Sequence, residues 1–253
     1  MADEQQKERR TAFITAGTKG IGLAIAQAFA REGYHLALTS RTPIEDEKFT
    51  QGDFKDSKVM LIALELQNEK NIGGALQTAV ESLGPIDVLV NNAGTILRKP
   101  IIDVTWSEWD EVMNANLKGA YFLSAQFAKH CFENGRSGSI VNIASTHGIA
   151  AMADRSVYGI SKGAVIQMTK TMAIEWAEKG IRVNAIAPGT VLSESRSEVF
   201  GKPASREKML ARIPSGKFIT VEEVADAACY LASERAGSVT GHTLALDGGL
   251  LSQ

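Results

Sequence analysis

The feature of this 253-residue chain that most constrains its fold is an alternation of short apolar runs with longer helix-like runs. Most of the short runs are continuously apolar, which is typical of strands that are buried on both faces of a parallel sheet. Two of the helix-like runs follow capping-box sequences, at Thr105–Glu108 and Thr220–Glu223. The pattern predicts an α/β, doubly wound Rossmann fold, with a seven-stranded parallel sheet and helices on both faces.

The expected elements can be placed along the chain. Residues 1–10 are expected to form a flexible N-terminus and residues 11–253 a single domain. The polar segment 43–57 is expected to be a loop or a short irregular helix. The expected strands are 11–15, 35–39, 59–64, 88–91, 139–144, 182–187 and 243–246, and the expected helices are 20–32, 69–83, 107–133, 156–178 and 221–232.

Composition excludes several classes of protein. An apolar fraction of 44% with 22% charged residues is globular, and a net charge of −2 argues against a nucleic-acid or membrane-surface partner. No apolar run approaches the ~18 residues of a membrane-spanning helix, and residues 1–10 lack the apolar centre of a signal peptide. Cys131 and Cys229 predict two free buried thiols in a reducing compartment, the cytoplasm. The four scattered histidines predict no metal site.

A strand, a glycine turn and a helix open the expected domain. T-A-F-I-T, residues 11–15, runs into A-G-T-K-G-I-G, residues 16–22, and then into a helical pattern. Such a turn presents backbone N–H groups and a helix N-terminus to a pyrophosphate. The spacing of Gly17, Gly20 and Gly22 differs from G-x-G-x-x-G, and a glycine turn by itself is a weak signal.

Tyr158 and Lys162 lie four residues apart and therefore share one face of a helix. An ammonium beside a phenol lowers the pKa of the phenol from its usual value of ~10. Such a tyrosine can exchange a proton with a substrate oxygen near neutral pH. Ser145, at the end of the expected strand 139–144, could hold the same oxygen. Taken alone, Y-x-x-x-K also suits an ordinary amphipathic helix.

Together these motifs resemble the short-chain dehydrogenase/reductase family over about residues 10 to 249. The resemblance implies a nicotinamide cofactor and four catalytic residues. Tyr158 would act as the acid in reduction and the base in oxidation, Lys162 would lower its pKa, and Ser145 would stabilise the oxyanion. Asn116 would open its helix locally and hold a water that relays protons. The matching segments are Thr15–Gly22, Asn91–Gly94, Asn116 in N-A-N-L-K-G, Ser145, Tyr158–Lys162 and Pro188-Gly189.

Residues after the second expected strand and in the glycine turn indicate which dinucleotide binds. Ser40 stands where NAD-using relatives carry Asp, Arg41 follows it, and Lys19 precedes Gly20. An Arg–Lys pair suits the 2′-phosphate of NADP(H); the alternative is that both bases are solvated surface residues. The resemblance implies cofactor contacts from Gly17, Thr18, Lys19, Gly20, Ile21, Gly22, Ser40, Arg41, Glu65, Leu66, Asn91, Asn92, Ala93, Gly94, Tyr158, Lys162, Pro188, Gly189, Thr190, Val191 and Ser193.

Three positions depart from the family pattern. Ala16 stands where the first glycine usually stands; it is expected to keep a negative φ, with Gly17 supplying the flexibility of the turn. Glu65 replaces the aspartate that usually meets the adenine amino group. Ser193 replaces a threonine and keeps its hydroxyl.

The expected function is that of an NADP(H)-dependent oxidoreductase that interconverts a carbonyl and a secondary alcohol on a small polar substrate, such as a keto sugar acid. Arg98, His147 and Arg155 are the substrate-binding candidates, with surface positions as the alternative, and residues 190–215 are the expected lid. The run N-N-A-G-x-x-x-R and the terminal D-G-G-L-L resemble those of gluconate and deoxygluconate dehydrogenases.

Two other functions stay open, a 3-oxoacyl-carrier or thioester reductase and a non-catalytic NADP-binding regulatory protein. A homotetramer is expected, because helices 107–133 and 156–178 carry long apolar faces that family members pair across subunits. Leu250 and Leu251 would suit a second interface.

Overall fold

A computed structural model of the chain describes residues 9–42, 49, 51–192 and 203–253. Seven parallel strands form one sheet in the order β3-β2-β1-β4-β5-β6-β7. This is the predicted doubly wound fold. The strands are β1 Thr11–Ile14, β2 His35–Ser40, β3 Val59–Ala63, β4 Val88–Asn91, β5 Gly138–Ile143, β6 Ile181–Pro188 and β7 Thr243–Leu246.

The helices cover both faces of the sheet. Successive strand residues point to opposite faces, so Ala12 and Ile14 join one apolar layer and Phe13 joins the other. The helices are α1 Gly20–Arg31, α2 Glu69–Leu83, α3 Trp106–Met113, α4 Gly119–Glu133, α5 Ser156–Trp176, α6 Pro203–Leu210 and α7 Val221–Ala232. The first layer includes α1 and α7, and the second includes α2, α4 and α5.

The register of the sheet brings several loops to one edge. Ile14 pairs with Val90, and Asn91 pairs with Asn142. The carboxyl ends of the parallel strands therefore lie together, and the connections that follow β1, β4, β5 and β6 leave from the same edge. The winding reverses between β1 and β4, which is the position where ligands bind in open α/β sheets.

The predicted helix 107–133 is two helices with a π-helical turn between them, Asn114–Lys118. Asn116 lies in this turn, so the helix is open where the family resemblance places the opening. Both predicted capping boxes form, with the Thr105 and Thr220 hydroxyls accepting from the Glu108 and Glu223 backbone N–H groups.

The expected lid contains a helix, and the segment 43–57 contains a short helical turn, as one of its two predicted forms allows. Residues 203–210 of the expected lid form α6, where Pro203 occupies the first position and residues of good helix propensity follow; residues 193–202, including Ser193, lie outside the described residues. In the segment 43–57, Gly52–Phe54 form one 3₁₀ turn, and Phe49 and Phe54 pack against each other with ring centroids 5.4 Å apart. Residues 43–48 and 50 are outside the described part, as are residues 1–8 of the expected flexible N-terminus.

Three further observations bear on the class of protein. Within the described part of the chain, no helix has both the length and the apolar character needed to cross a membrane. The same residues contain no group of three or more His, Cys, Asp or Glu that could hold a metal ion. Both cysteines are free; Cys131 is buried as predicted, but Cys229 is only half-buried.

Candidate active site

The glycine turn after β1 is held in an unexpected conformation. Ala16 has φ 50°, in the left-handed region, so the prediction of a negative φ is wrong. Its backbone N–H donates to Thr39 Oγ1 at 3.2 Å, and its carbonyl accepts from Asn92 Nδ2 at 3.2 Å. Gly17 has no positive φ; it is needed because a Cβ there would lie 2.9 Å from Leu38 Cδ2. Tertiary hydrogen bonds therefore set the turn.

Thr15 joins this turn to the loop after β4. Its hydroxyl accepts from the backbone N–H groups of Asn92 and Ala93, both at 2.9 Å. The Asn92 amide returns a hydrogen bond to Thr15 O at 3.0 Å. A Cβ on Gly22 would clash with Ala16 O and lie 2.5 Å from Asn92 Nδ2, so the start of α1 also packs closely here.

The first turn of α1 fits a dinucleotide pyrophosphate. Lys19 precedes the helix and makes no side-chain cap hydrogen bond, so no protein side chain at this position occupies the terminal N–H groups. Gly20 has φ 53°, and a Cβ built on it would meet nothing within 4 Å. The backbone there is open to an anion, which the helix dipole and its N–H groups favour.

The predicted adenosine-binding residues lie along the same edge of the sheet. Ser40 ends β2, where its hydroxyl donates to Thr42 O. Arg41 and Lys19 are exposed, and Glu65 is an exposed residue after β3. Leu66 packs under the start of α4, where a Cβ on Gly119 would lie 2.5 Å from Leu66 Cβ.

Asn91 does not face this edge, although the family resemblance predicts it among the cofactor contacts. It is buried, and its side-chain N–H groups donate to Ser124 Oγ at 2.9 Å and Asn142 Oδ1 at 2.8 Å. Asn142 in turn donates to Thr169 Oγ1 at 2.9 Å. Asn91 therefore belongs to a buried polar network that joins β4, β5, α4 and α5.

Lys162 is the buried cation of the site. Its side chain comes from α5, the residue is only 5% exposed, and Nζ donates to the Ile143 carbonyl at 2.7 Å. Nζ also lies 6.0 Å from the centroid of the Tyr158 ring, one helical turn away. Burial lowers the pKa of Lys162 to about 8. The ammonium is therefore fixed beside the phenol, as the spacing predicts.

Ser145 and His147 reach the same place from the loop after β5. Ser145 is buried, and its hydroxyl accepts from the His147 N–H at 3.2 Å. The His147 ring meets the Tyr158 ring edge-on, with centroids 5.9 Å apart. This loop lies directly on α5, because a Cβ on Gly148 would be 2.6 Å from the Lys162 carbonyl carbon. The fold thus brings three of the predicted catalytic residues to one site.

Asn116 supports the site from the π-helical turn. Its Oδ1 accepts from the Thr95 N–H at 2.7 Å, and its Nδ2 donates to Thr95 O at 2.9 Å and to Ser161 Oγ at 3.0 Å. The side chain therefore holds the residue after N-N-A-G. A Cβ on Gly94 would lie 3.5 Å from Lys162 Nζ. The water-holding role of Asn116 stays a prediction.

The segment after β6, which is predicted to contact the cofactor, is held by backbone hydrogen bonds. Gly189 N donates to Leu246 O at 2.8 Å, and Ile219 N donates to Thr190 O at 3.0 Å. Val191 forms a bridge with Ile219. The end of β6 is thereby fixed between β7 and the residues before α7.

These elements enclose a cleft of about 620 Å³. The predicted residues that line it are Lys19, Gly20, Ile21, Gly22, Asn92, Gly94, Arg98, Ser145, His147, Arg155, Tyr158, Lys162, Pro188, Gly189, Thr190 and Val191. The described residues that were predicted for the site but do not line this cleft are Gly17, Thr18, Ser40, Arg41, Glu65, Leu66, Asn91, Ala93 and Asn116.

One wall of the cleft was missed by sequence reasoning. It consists of Met209, Arg212 and Ile213, which lie at or after the end of α6, together with Leu250 and Leu251. The sequence predicts the two leucines at a subunit interface, and the other three residues lie in the expected lid 190–215. No motif marks them, but a basic residue near the end of a short polar helix was a visible signal.

Comparison with known proteins agrees with this geometry. A family model described as enoyl-(acyl carrier protein) reductase matches residues 15–251. Glucose 1-dehydrogenase 2 of Bacillus subtilis (strain 168) is 36% identical over 95% of this chain and 94% of its own length. The 3-oxoacyl-[acyl-carrier-protein] reductase FabG of Thermotoga maritima is also 36% identical, over 96% and 98%. Gluconate 5-dehydrogenase of Gluconobacter oxydans (strain 621H) is 30% identical, over 94% and 93%.

Solved structures share the whole fold. A protein from Agrobacterium tumefaciens, provisionally assigned as a 2-deoxy-D-gluconate 3-dehydrogenase and solved with bound NADP, has a TM-score of 0.88 and 34% identity over 98% of both chains. A 4-hydroxyisoleucine dehydrogenase complexed with NADH has a TM-score of 0.90 and 27% identity over 97% of this chain and all of its own. With the motifs, the sheet order and these matches together, the chain belongs to the short-chain dehydrogenase/reductase family of oxidoreductases.

Proposed function

We propose that this chain is an NADP(H)-dependent oxidoreductase that interconverts a carbonyl and a secondary alcohol on a small polar substrate, with a keto sugar acid as the candidate. The observation that carries the proposal is the buried ammonium of Lys162, which is held by the Ile143 carbonyl beside Tyr158 in the cleft. A buried cation is costly unless it is paired and hydrogen-bonded, and strongly perturbed ionisable groups cluster at functional sites. Here it stands next to a group that can exchange a proton.

Each catalytic side chain has a role in this proposal. The nicotinamide, when bound, supplies the hydride in reduction and accepts it in oxidation. Tyr158 gives its phenolic proton to the carbonyl oxygen during reduction and takes it back during oxidation. The ammonium of Lys162 stabilises the phenolate, and the Ser145 hydroxyl donates a hydrogen bond to the same oxygen. Asn116 keeps Thr95, and with it one side of the cleft, in place.

Preference for NADP(H) is supported by the charges at the adenosine end. The exposed bases Arg41 and Lys19 suit a 2′-phosphate, and Ser40 offers no carboxylate to the ribose hydroxyls. The structural relatives include one solved with NADP and one with NADH, so they allow either cofactor. The proposal therefore depends on the residues of this chain.

A sugar acid is supported by the basic residues Arg98, His147 and Arg155 in the cleft, and by a relative that is a gluconate 5-dehydrogenase. A thioester reductase is the second candidate, because a FabG protein is 36% identical to this chain. A non-catalytic, NADP-binding role is the third, and turnover of any carbonyl would exclude it.

A steady-state assay tests the proposal. Purified protein is given NADPH or NADH with keto-gluconates, uronate-derived keto acids, acetoacetyl thioesters and aryl ketones, and the absorbance of the reduced cofactor is followed. We expect reduction of a keto acid with NADPH. More efficient turnover of a thioester or an aryl ketone would favour the second candidate or a different substrate class.

A substitution of Arg41 tests the preference for NADPH over NADH. A charge-assisted phosphate contact contributes about 1.5–3 kcal/mol, which is about ten- to a hundredfold in affinity. Arg41→Ala should therefore remove most of the preference for NADPH over NADH, whereas Lys70→Ala, an exposed base at the start of α2, should leave it unchanged. Equal use of both cofactors by the wild-type protein would contradict this part of the proposal.

We also infer a homotetramer in the cytoplasm. Tyr121 and Phe122 on α4 and Ile160 and Ile174 on α5 are exposed in the single chain, with Ile174 82% exposed. Apolar faces of this extent favour closed, symmetric association. Two free cysteines suit a reducing compartment.

A further inference from the structure

The wall that sequence reasoning missed is a rigid part of the cleft. Ala211 N donates to Glu207 O and Ile213 N to Leu210 O, both at 2.9 Å, so the chain turns tightly after α6. Ile213 is 5% exposed and anchors this turn in the protein. Arg212, between these anchored residues, keeps an exposed side chain that lines the cleft. Its backbone is fixed, and its guanidinium is available.

The C-terminal residues Asp247–Gln253, here called the tail, hold this turn from behind. Gln253 Nε2 donates to Arg212 O at 2.8 Å, and Ser215 N donates to Gly248 O at 3.0 Å. Gly248 has φ 64°, and a Cβ on it would lie 2.6 Å from Ile213 Cγ2. The tail and the turn are therefore packed together without spare room.

Asp247 fixes the shape of the tail. Its Oδ1 accepts from Gly249 N at 2.9 Å and its Oδ2 accepts from Leu251 N at 2.8 Å. Leu250 and Leu251 are thereby placed in the lining of the cleft, which also includes Arg212. The end of the chain thus supports the turn that carries Arg212 and adds apolar surface to the same cleft.

The cleft has one sign of charge. Its described lining residues include Lys19, Arg98, Arg155, Lys162 and Arg212, and none of them is Asp or Glu. The whole chain carries a net charge of −2, so this is a local concentration of positive charge. A cleft lined by one sign of charge raises the local concentration of ligands of the opposite sign.

Several arginines of the protein are engaged by other protein groups. Arg31 and Arg136 pair with Asp53 and Asp87. Arg155, also in the cleft, already donates to the Asp154 carbonyl at 3.2 Å and has further contacts. Within the described residues, by contrast, Arg212, like Arg98 in the same cleft, has no ion pair and no side-chain hydrogen bond. A guanidinium with unpaired donors, carried on a fixed backbone, suits bidentate binding of a carboxylate.

We propose that Arg212 binds the carboxylate of an acidic substrate, and that the tail positions it for this role. The inference rests on the proposed oxidoreductase function and its candidate keto sugar acid, and it adds a specificity-determining residue that would favour keto acids over neutral ketoses. Arg212 acts on recognition of the acid group and takes no part in the proton transfer, which belongs to Tyr158.

Two probes that differ in charge test this. The rate of NADPH oxidation is measured with 5-keto-gluconate, which carries a carboxylate, and with xylulose, a neutral ketose. Arg212→Ala should lower kcat/KM for 5-keto-gluconate about ten- to a hundredfold, the size of a lost charge-assisted contact, and change that for xylulose by less than about threefold. Arg212→Lys should fall between, because an ammonium keeps the charge without the planar fork.

Matched variants separate recognition from folding. Arg206→Ala removes an exposed arginine of α6 that does not line the cleft, and should leave both probes unchanged. Gln253→Ala removes the hydrogen bond to the Arg212 carbonyl. It should weaken 5-keto-gluconate binding, seen as a higher KM, by less than Arg212→Ala does, with xylulose unaffected.

Different results would overturn the role of Arg212 and the proposed oxidoreductase function. Equal losses for both probes in Arg212→Ala, or no loss for either, would overturn the role of Arg212 and leave the oxidoreductase function in place. Turnover of no carbonyl at all would refute the proposed function. Calorimetric titration of gluconate into the NADP⁺-saturated protein then decides Arg212 independently: binding weakened at least about tenfold in Arg212→Ala supports it, and no binding to the wild-type protein overturns it.

Discussion

The buried Lys162 makes the stability of this protein depend on pH in a predictable direction. Burial lowers its pKa from the ordinary 10.5 to about 8 in the folded state. Between these values the unfolded chain binds more protons than the folded one, so the free energy of unfolding rises with pH across this window. Below about pH 8 the full cost of burying the charge is present. The lowering of the Lys162 pKa on folding corresponds to a loss of about 3 kcal/mol in the free energy of unfolding below about pH 8.

Urea unfolding of the wild-type protein and of Lys162→Met, at pH values from 7 to 10.5, isolates this contribution. Other groups that titrate in this range cancel in the difference between the two proteins. We expect the wild-type protein to gain about 1.4 kcal/mol per pH unit relative to the variant once the pH exceeds about 8. Lys170→Met, an exposed lysine on the same helix, should give a flat difference.

The test depends on how the stability difference between the two proteins changes with pH, and not on its absolute size. Lys162→Met also leaves the Ile143 carbonyl without its donor, which costs about 1–3 kcal/mol at every pH. A difference that stays constant from pH 7 to 10.5 would show that Lys162 keeps the same pKa in the folded and unfolded states. In that case the hydrogen bond to Ile143 and the nearby phenol would compensate fully for burial, and the desolvation argument would be wrong.

Three other predictions follow from the structure. Tyr158→Phe should abolish turnover while NADPH binding, measured by fluorescence titration, stays within about threefold; near-normal turnover would refute the assigned proton transfer. Ala16→Gly should stabilise the protein by about 0.5–1 kcal/mol in urea unfolding, because alanine is strained at its φ of 50°; unchanged or lower stability would show that the turn carries no such strain. Light scattering should give four times the chain mass of 27.1 kDa, and Ile174→Glu should lower it; a monomeric wild-type protein at micromolar concentration would exclude the tetramer.

Sequence patterns predicted the fold because the sheet depends on local features. Short runs that are mostly apolar, such as Val88–Asn91, favour strands where helix-like runs alternate with them, and the capping residues Thr105 and Thr220 mark helix starts by local chemistry. Ala16 shows where local reasoning fails. Its preference for negative φ is overridden by hydrogen bonds from residues 23 and 76 positions away in sequence.

The residues of the candidate site also fall into two groups, those that local sequence predicts and those that only tertiary packing brings together. Tyr158 and Lys162 are neighbours on one helix, so their spacing in sequence predicts their contact. Arg212 and Leu251 meet the cleft only because the tail folds back after β7 and packs on the turn after α6. No short-range pattern encodes that return. Motifs therefore predict the glycine turn, Tyr158 and Lys162 as residues of the cleft, whereas the wall that contains Arg212 and Leu251 required the tertiary structure.

The hydroxyl of Thr15 has a consequence for the entropy of cofactor binding. The sheet must part between β1 and β4 to leave a crevice, and one side chain bridges that gap by donating to Val90 O and accepting from two N–H groups of the opposite loop. The separation of the two loops is thus set before any ligand arrives. A cofactor that enters does not have to order them, so this cost is not subtracted from its affinity.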